Sequence, residues 1–295
     1  MKSVVSYPER GNGGKNSYRG NCSPKLIEDI ISQYKIKYMS DYMVGSGTTE
    51  DVCKSKSVDG MFLDLNRGFD LMSMDIPDRP ENIFNHPPYW DIVKYAGYQY
   101  DEKKVIEKYN IMPRHSDLSQ INNWEDFMKN LNYTVLKQFA SLQKGGHMFV
   151  LMGDIKKQGK LYSMISEIVK PGTLEQIIIK MQHNCWSDSQ TYSNYNFVPI
   201  VHEYLMVLRK DNALIYPVQT IKKLLCDVTK LKNITWKDLL ASYLEEHGPS
   251  RLEEIYIFVS KCEKSKNNPH YKEKCRQVLR THFFRESRSV YRLAA

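Results

Sequence analysis

Tyr38-Met39-Ser40-Asp41-Tyr42-Met43-Val44 runs directly into Gly45-Ser46-Gly47-Thr48-Thr49, and the reading of this stretch decides the fold. Its first seven residues have strand character. Two glycines then permit a sharp turn, and helical residues are expected to begin near Thr49. A strand, a glycine turn and a helix start together form a crevice in which backbone comes close to a ligand and offers it free N–H groups. The third glycine of a G-x-G-x-x-G run is missing, since Glu50 holds its place, and the lysine of a phosphate loop is missing too. A tight βα turn that holds no ligand therefore fits the same residues.

On the C-terminal side, Gly60-Met61-Phe62-Leu63 reads as the next strand and ends at Asp64, 17 residues past Gly47. In nucleoside-binding sheets a carboxylate about 20 residues past the glycines holds a ribose hydroxyl pair. Asp75 stands before Ile76-Pro77, and Glu81-Asn82-Ile83-Phe84 reads as a third strand. That strand must stop at Asn85-His86-Pro87-Pro88-Tyr89-Trp90, because proline has no ladder donor. Ligands of open α/β sheets bind just beyond the carboxyl ends of strands. Tyr89 and Trp90 are therefore expected to expose their rings where a substrate can stack. An ordinary proline turn with a buried aromatic is the alternative.

On the N-terminal side, Ser23-Pro24 is a helix start, with Leu26, Ile27, Ile30, Ile31 and Tyr34 at helical spacing. The polar, glycine-rich residues before it are expected to lie as a surface arm. Downstream, Trp124 to Phe139 carries a helical apolar stripe. Strands follow at His147–Met152, Leu174–Met181 and Val198–Leu208, the last of the sheet. The alternation argues α/β. Trp186–Asn196 has no period and reads as a loop.

Residues 211–233 shift to linker composition, and a separate module begins at Ile234. Thr235 with Asp238, and Ser250 with Glu253, resemble capping boxes that open two helices. A third helix from about Tyr271 presents Lys272, Arg276 and Arg280 in one basic stripe, and a hairpin after it carries Arg285 and Arg288. Three helices and a basic hairpin outline a winged helix, whose third helix enters a DNA major groove. A solvated charged face on a protein-docking module is the alternative.

With 295 residues, 41% of them hydrophobic, the chain can bury a large core, and no apolar run approaches the ~20 residues of a membrane span. No signal core follows Met1, so a cytoplasmic location is expected. The six cysteines form no C-x-x-C pair, which argues against a zinc site or a disulfide framework; no metal is expected. A net charge of +8 favours a polyanionic partner.

In this order and spacing the motifs resemble those of the DNA amino-methyltransferases, which methylate adenine N6 or cytosine N4 with S-adenosylmethionine. Asp41-Tyr42-Met43-Val44-Gly45-Ser46-Gly47-Thr48-Thr49 resembles the cofactor motif of that family. Asn85-His86-Pro87-Pro88-Tyr89 resembles its catalytic motif, in which Asp, Asn or Ser usually precedes Pro-Pro-Tyr. Tyr18-Arg19-Gly20-Asn21-Cys22-Ser23 is similar to the segment that packs on the methionine part of the cofactor. Asp117-Leu118-Ser119, Val150–Asp154 and His202-Glu203-Tyr204 also match, so the likeness covers roughly Tyr7 to Lys210. The C-terminal module is similar to winged helices appended to bacterial restriction-modification proteins.

The resemblance implies a Rossmann-like class I methyltransferase sheet over 1–210, a linker over 211–233 and a winged-helix-like DNA-binding domain over 234–295. It implies S-adenosylmethionine bound by Asn21, Ser23, Asp41, Gly45, Ser46, Gly47, Thr48, Thr49, Asp64 and Asp75. The catalytic set is His86, Pro87, Pro88 and Tyr89, with the acceptor carbonyl from Pro87 and the stacking ring from Tyr89. Double-stranded DNA would be held by Trp90, Lys272, Arg276, Arg280, Arg285 and Arg288, and a cognate restriction endonuclease is a further implied partner. Adenine N6 is the leading target, cytosine N4 the alternative. A DNA-binding regulator that keeps the sheet as scaffold is a third reading. His86 departs from the pattern: either its neutral ring accepts the amine hydrogen, or it is displaced and backbone carbonyls suffice.

Overall fold

The computed structural model describes residues 1–183, 198–212, 228–230, 232, 234–266 and 268–293. Two compact units divide the chain, Met1–Gln219 and Thr220–Ala295. The loop read at Trp186–Asn196 and most of the linker read at 211–233 lie outside the described residues.

Strands of the first unit are β1 (Val4–Ser6), β2 (Met39–Ser40), β3 (Asn82–Asn85), β4 (His147–Met152), the small hairpin β5 (Ile155–Lys157) and β6 (Lys160–Tyr162), β7 (Thr173–Met181) and β8 (His202–Arg209). Six of them form one sheet in the order β1-β7-β8-β4-β3-β2. Pairing is parallel along β2-β3-β4 and between β1 and β7, whereas β8 runs antiparallel to both β4 and β7. Last of the six in sequence, β8 lies inside the sheet. Parallel bridges from Tyr38 to Asp59 and from Asp41 to Phe62 extend the sheet past β2. The strand read at Gly60–Leu63 is thus present as bridges rather than a full ladder. The architecture is the α/β sheet that the alternation of elements argued, in the Rossmann-like form that the resemblance implied.

The pleat sorts the core into two layers. Met148, Val150 and Met152 of β4 face one side with Ile83, Met206 and Leu208; Phe149 and Leu151 face the other with Phe84, Leu205 and Val207. Helix Trp124–Ser141 covers the first side with Phe127, Leu131, Val135 and Phe139. On the second side, α1 (Pro24–Tyr34) and α2 (Thr48–Ser55) contribute Leu26, Ile27, Ile30, Val52 and Cys53. Full burial of each large apolar side chain adds about 1.5–3 kcal/mol. Strands covered on both faces read as unbroken apolar runs, which is why β4 and β8 were visible in the sequence.

The N-terminal residues depart from the expected surface arm. Val4–Ser6 pairs in parallel with Ile179–Met181, and Val5 enters the core. Without β1, the edge of β7 would expose a row of unpaired backbone groups. Gly14 is tied to α2: its N–H donates to Asp51 Oδ2 at 2.8 Å, and a Cβ there would clash with Thr48 Oγ1.

In the second unit, helices Trp236–His247, Leu252–Ser260 and Tyr271–His282 pack with a three-stranded antiparallel sheet. Its strands are Ser250–Arg251, Phe284–Ser287 and Val290–Arg292, the last in the middle. Leu239, Leu240, Leu244, Ile255, Val259, Cys275, Leu279 and Tyr291 form the core. Thr235 caps the first helix, its Oγ1 accepting from Asp238 N at 3.0 Å. The box expected from Ser250 and Glu253 is not formed. Pairing with Val290 and Tyr291 draws Ser250 and Arg251 into a strand, so the helix starts at Leu252 and Glu254 accepts from Arg251 N at 2.7 Å. Lys272, Arg276, Arg280, Arg285 and Arg288 are all exposed.

Candidate active site

The carboxyl ends of β2 and β3 and the segment after Phe62 border a cleft of about 880 Å³, part of it open to solvent. Ligand sites fall at this place in an α/β sheet. Of the residues singled out by sequence, Asn21, Asp41, Gly45, Ser46, Thr48, Thr49, Asp64, His86 and Pro88 line it.

The glycine turn is locked from both ends. Asp41, buried at the end of β2, accepts from Thr49 Oγ1 at 2.7 Å and from Met43 N at 2.9 Å, tying the strand end to the first turn of α2. Burial pushes the Asp41 carboxyl up to about 7, against the lowering pull of those two hydrogen bonds. Gly45 and Gly47 take φ of 52° and 93°, a region costly for other residues. Gly45 N donates to Asp64 Oδ2 at 2.8 Å and Asn66 N to Asp64 Oδ1 at 2.9 Å. Burial raises the Asp64 pKa, and the two backbone donors oppose it. Three hydroxyls in this cleft, Ser46 Oγ, Thr48 Oγ1 and Tyr100 Oη, are buried without a hydrogen-bond partner. A bound ligand or water would complete such hydroxyls.

Three expectations are corrected. Trp90 is 4% exposed and belongs to the core: its ring meets Trp124 at 5.4 Å and Tyr162 at 4.9 Å, and Lys157 Nζ lies 4.2 Å from its centroid. A backbone φ of 50° at Trp90 turns the ring away from the cleft, so it offers no platform. Asp75 is exposed and does not line the cleft. The turn closed by Met74 N on Asp70 O at 2.8 Å carries Asp75 outward, and Asp70 lines the cleft instead. Ser23 spends its hydroxyl on Arg10 O at 2.8 Å, outside the lining. Gly47, Pro87 and Tyr89 do not line the cleft either.

Sequence reasoning missed Asp70, Tyr95 and Tyr100, which come from irregular segments without periodicity. Asp70 accepts from Ser73 Oγ and Ser116 Oγ, both at 2.6 Å, and from Met72 N at 2.9 Å. Those donors would have had to be paired from residues up to 46 positions apart.

His86 is held neutral in the cleft. Burial pushes its imidazole down to about 4; the Glu203 carboxylate pulls it up, Lys180 pushes it further down, and burial wins. An unfolded chain takes up the proton near pH 6.5, about 2.5 pH units earlier. Stability associated with neutral His86 is therefore full above pH ~6.5 and is lost as pH falls through about 4, amounting to ~2.5 kcal/mol by pH ~4.5. Asp41 works in the opposite sense, its raised pKa favouring the fold in acid and losing that contribution as pH rises through about 7. Urea unfolding of wild type and His86→Asn isolates the histidine. Their difference in unfolding free energy is expected to change by ~2.5 kcal/mol between pH ~7.5 and ~4.5; a constant difference refutes the neutral, buried ring.

No protein-family model and no curated protein sequence matches the chain. Among solved structures, TrmN from Thermus thermophilus aligns with 66% of this chain and 51% of its own, at 13% identity and a TM-score of 0.36. A second Thermus thermophilus protein, named provisionally as a DNA modification methylase, aligns over 32% of this chain and 41% of its own, at 19% identity and a TM-score of 0.26. A SAM-dependent methyltransferase from Archaeoglobus fulgidus aligns over 65% and 96%, at 12% identity and a TM-score of 0.30. The chain thus spans about half the length, or less, of the two Thermus proteins. Among the described residues no helix is long and apolar enough to cross a membrane, and no group of three His, Cys, Asp or Glu could hold a metal ion.

Proposed function

We propose that the chain is an S-adenosylmethionine-dependent methyltransferase that modifies the N6 amine of an adenine flipped from double-stranded DNA. The observation that carries this reading is the meeting, in one cleft, of a glycine turn with orphaned hydroxyls, Asp64, and His86 with Pro88.

The residues fit the cofactor. Ser46, Thr48 and Tyr100 offer unpaired hydroxyls to its polar groups. Each Asp64 oxygen accepts one backbone N–H and keeps a lone pair for a ribose hydroxyl. When bound, the cofactor supplies an electrophilic methyl group on a sulfonium. The amine of adenine is a poor nucleophile because its lone pair is delocalised into the ring, and it gains positive charge as the new N–C bond forms. Acceptors aimed at that nitrogen stabilise the charge. The resemblance assigns the Pro87 carbonyl to this role, and a neutral His86 is competent to join it. Tyr89 is held by its hydroxyl and backed by Gly153, where a Cβ would stand 2.9 Å from the ring. The resemblance assigns to this ring the stacking of a flipped base.

Exposed Lys272, Arg276, Arg280, Arg285 and Arg288 support DNA contact by the second unit. Removing residues 234–295 is expected to weaken DNA binding at least ~10-fold at moderate salt, with cofactor affinity retained. Unchanged DNA affinity in a filter-binding titration would sink this assignment.

The decisive test is calorimetric titration with S-adenosylmethionine, followed by mapping of modified bases in DNA from cells expressing the chain. N6-methyladenine in one sequence context is the expected result. N4-methylcytosine would move the target to the other base, and absence of cofactor binding would leave a DNA-binding regulator.

A further inference from the structure

Behind His86 stand three polar side chains in line. Lys180 of β7 and Glu203 of β8 are cross-strand partners, and Lys180 Nζ donates to Glu203 Oε2 at 2.5 Å. Tyr89 Oη donates to Glu203 Oε1 at 2.7 Å, and His86 Nε2 lies 3.0 Å from the same Oη. The Lys180 and Glu203 side chains are only 9% and 8% exposed, so water does not substitute for these contacts.

Counting protons assigns each role. Burial acts to raise the Glu203 pKa, yet the charge of Lys180 and the contacts around it hold that carboxyl below its usual range, so it only accepts. Burial, and then the Glu203 charge, pushes the Tyr89 phenol well above its usual value, so it keeps its hydrogen. That hydrogen lies between Oη and Oε1, because two buried oxygens 2.7 Å apart with no hydrogen between them repel. Having spent its single hydrogen there, Oη can offer His86 only a lone pair. The facing Nε2 must then carry the hydrogen. A neutral imidazole has one N–H, which leaves Nδ1 as a bare lone pair. Among the described residues Nδ1 has no hydrogen-bond partner, and His86 lines the cleft.

We propose that Lys180, Glu203 and Tyr89 form a relay that fixes His86 in the Nε2–H tautomer and so presents Nδ1 as a hydrogen-bond acceptor to the substrate amine. The opposite tautomer would aim an N–H at the amine and compete for the lone pair that attacks the methyl group. In the fixed tautomer, charge growing on the amine strengthens each hydrogen bond back to Glu203, so the buried carboxylate acts through two intermediaries. Lys180, Glu203 and the Tyr89 hydroxyl are positioning groups. The use of Nδ1 rests on the methyl-transfer reading; the tautomer does not.

Nitrogen-15 NMR of the full chain, labelled in histidine and held near pH ~7.5, reads the tautomer directly. The His86 signals are identified by their loss in His86→Asn. Wild type is expected to show a pyridine-type Nδ1 and a pyrrole-type Nε2. Tyr89→Phe keeps the ring and removes the hydroxyl; its His86 is expected to mix the two tautomers, and its methyl-transfer rate to fall about 10-fold at unchanged cofactor affinity. A wild-type ring protonated at Nδ1 overturns the relay, and so does a Tyr89→Phe ring as uniform as wild type. If the wild-type tautomer is as expected but no methyl reaches DNA, the methyl-transfer reading fails while the relay stands.

Discussion

Lys180→Met is expected to lower the unfolding free energy of the first unit by about 3–5 kcal/mol near neutral pH, the usual cost of removing one partner from a buried ion pair. Methionine matches the length of the lysine stem, so packing against β8 changes little. What changes is Glu203, left ionised and 8% exposed with its cation gone. The carboxyl can avoid that state by taking up a proton, so the penalty should shrink as pH falls through its new, higher pKa. Adding Glu203→Gln removes the stranded charge, and the double variant is expected to regain most of the loss, because an apolar or neutral pair often replaces a buried ion pair at little cost. Urea unfolding followed by a probe within residues 1–219 measures all three chains; a separate probe is needed because two units need not unfold together. A loss below about 1 kcal/mol for the single variant, or no recovery in the double, would show the pair to be solvated and the wall behind His86 to be wet.

That pair also marks the limit of what the sequence disclosed. Apolar runs at 147–152 and 204–208 announced buried strands because both faces of the sheet are covered, and the stripe from Trp124 announced its helix. The glycine turn and the His-Pro-Pro step were legible because φ near 52° and 93° and a missing ladder donor leave few residue choices. Tyr89 and Glu203 are 114 positions apart, and only the register of β7 with β8 brings Lys180 beside the carboxylate. No local pattern encodes such a meeting. Trp90 was misread for a related reason: its neighbours in sequence are turn residues, while the rings that bury it come from Trp124 and Tyr162. Val4–Ser6 is too short to show a period, and its partner lies on β7. Asp75 and Asp70 look alike in sequence. Donors from Ser73 and Ser116 decide which of them turns inward.

Under the proposed function, His86→Phe is expected to cut methyl transfer by about 10²–10³-fold, or ~3–4 kcal/mol of transition-state stabilisation, the size found when one electrostatic contact to a developing charge is removed. Phenylalanine fills the space of the imidazole beside Phe84 and Tyr89, so the turn and the cofactor cleft keep their shape. It offers no lone pair to the amine and no hydrogen to Tyr89. His86→Asn restores a side-chain oxygen of the kind the resemblance places before Pro-Pro-Tyr, and its rate should lie within about 10-fold of wild type. Because the contact matters only as charge develops, the loss in His86→Phe should fall on kcat with KM for the proposed DNA substrate nearly unchanged. Single-turnover rates measured with saturating cofactor separate the chemical step from product release. Equal rates for His86→Phe and wild type would mean that the ring is a bystander and that the backbone carbonyl at Pro87 bears the developing charge alone. Equal losses in the phenylalanine and asparagine variants would mean instead that the imidazole, through its tie to Tyr89 and Glu203, does something an amide oxygen cannot. Only the ordering of wild type, then asparagine, then phenylalanine fits an acceptor whose value lies in its lone pair.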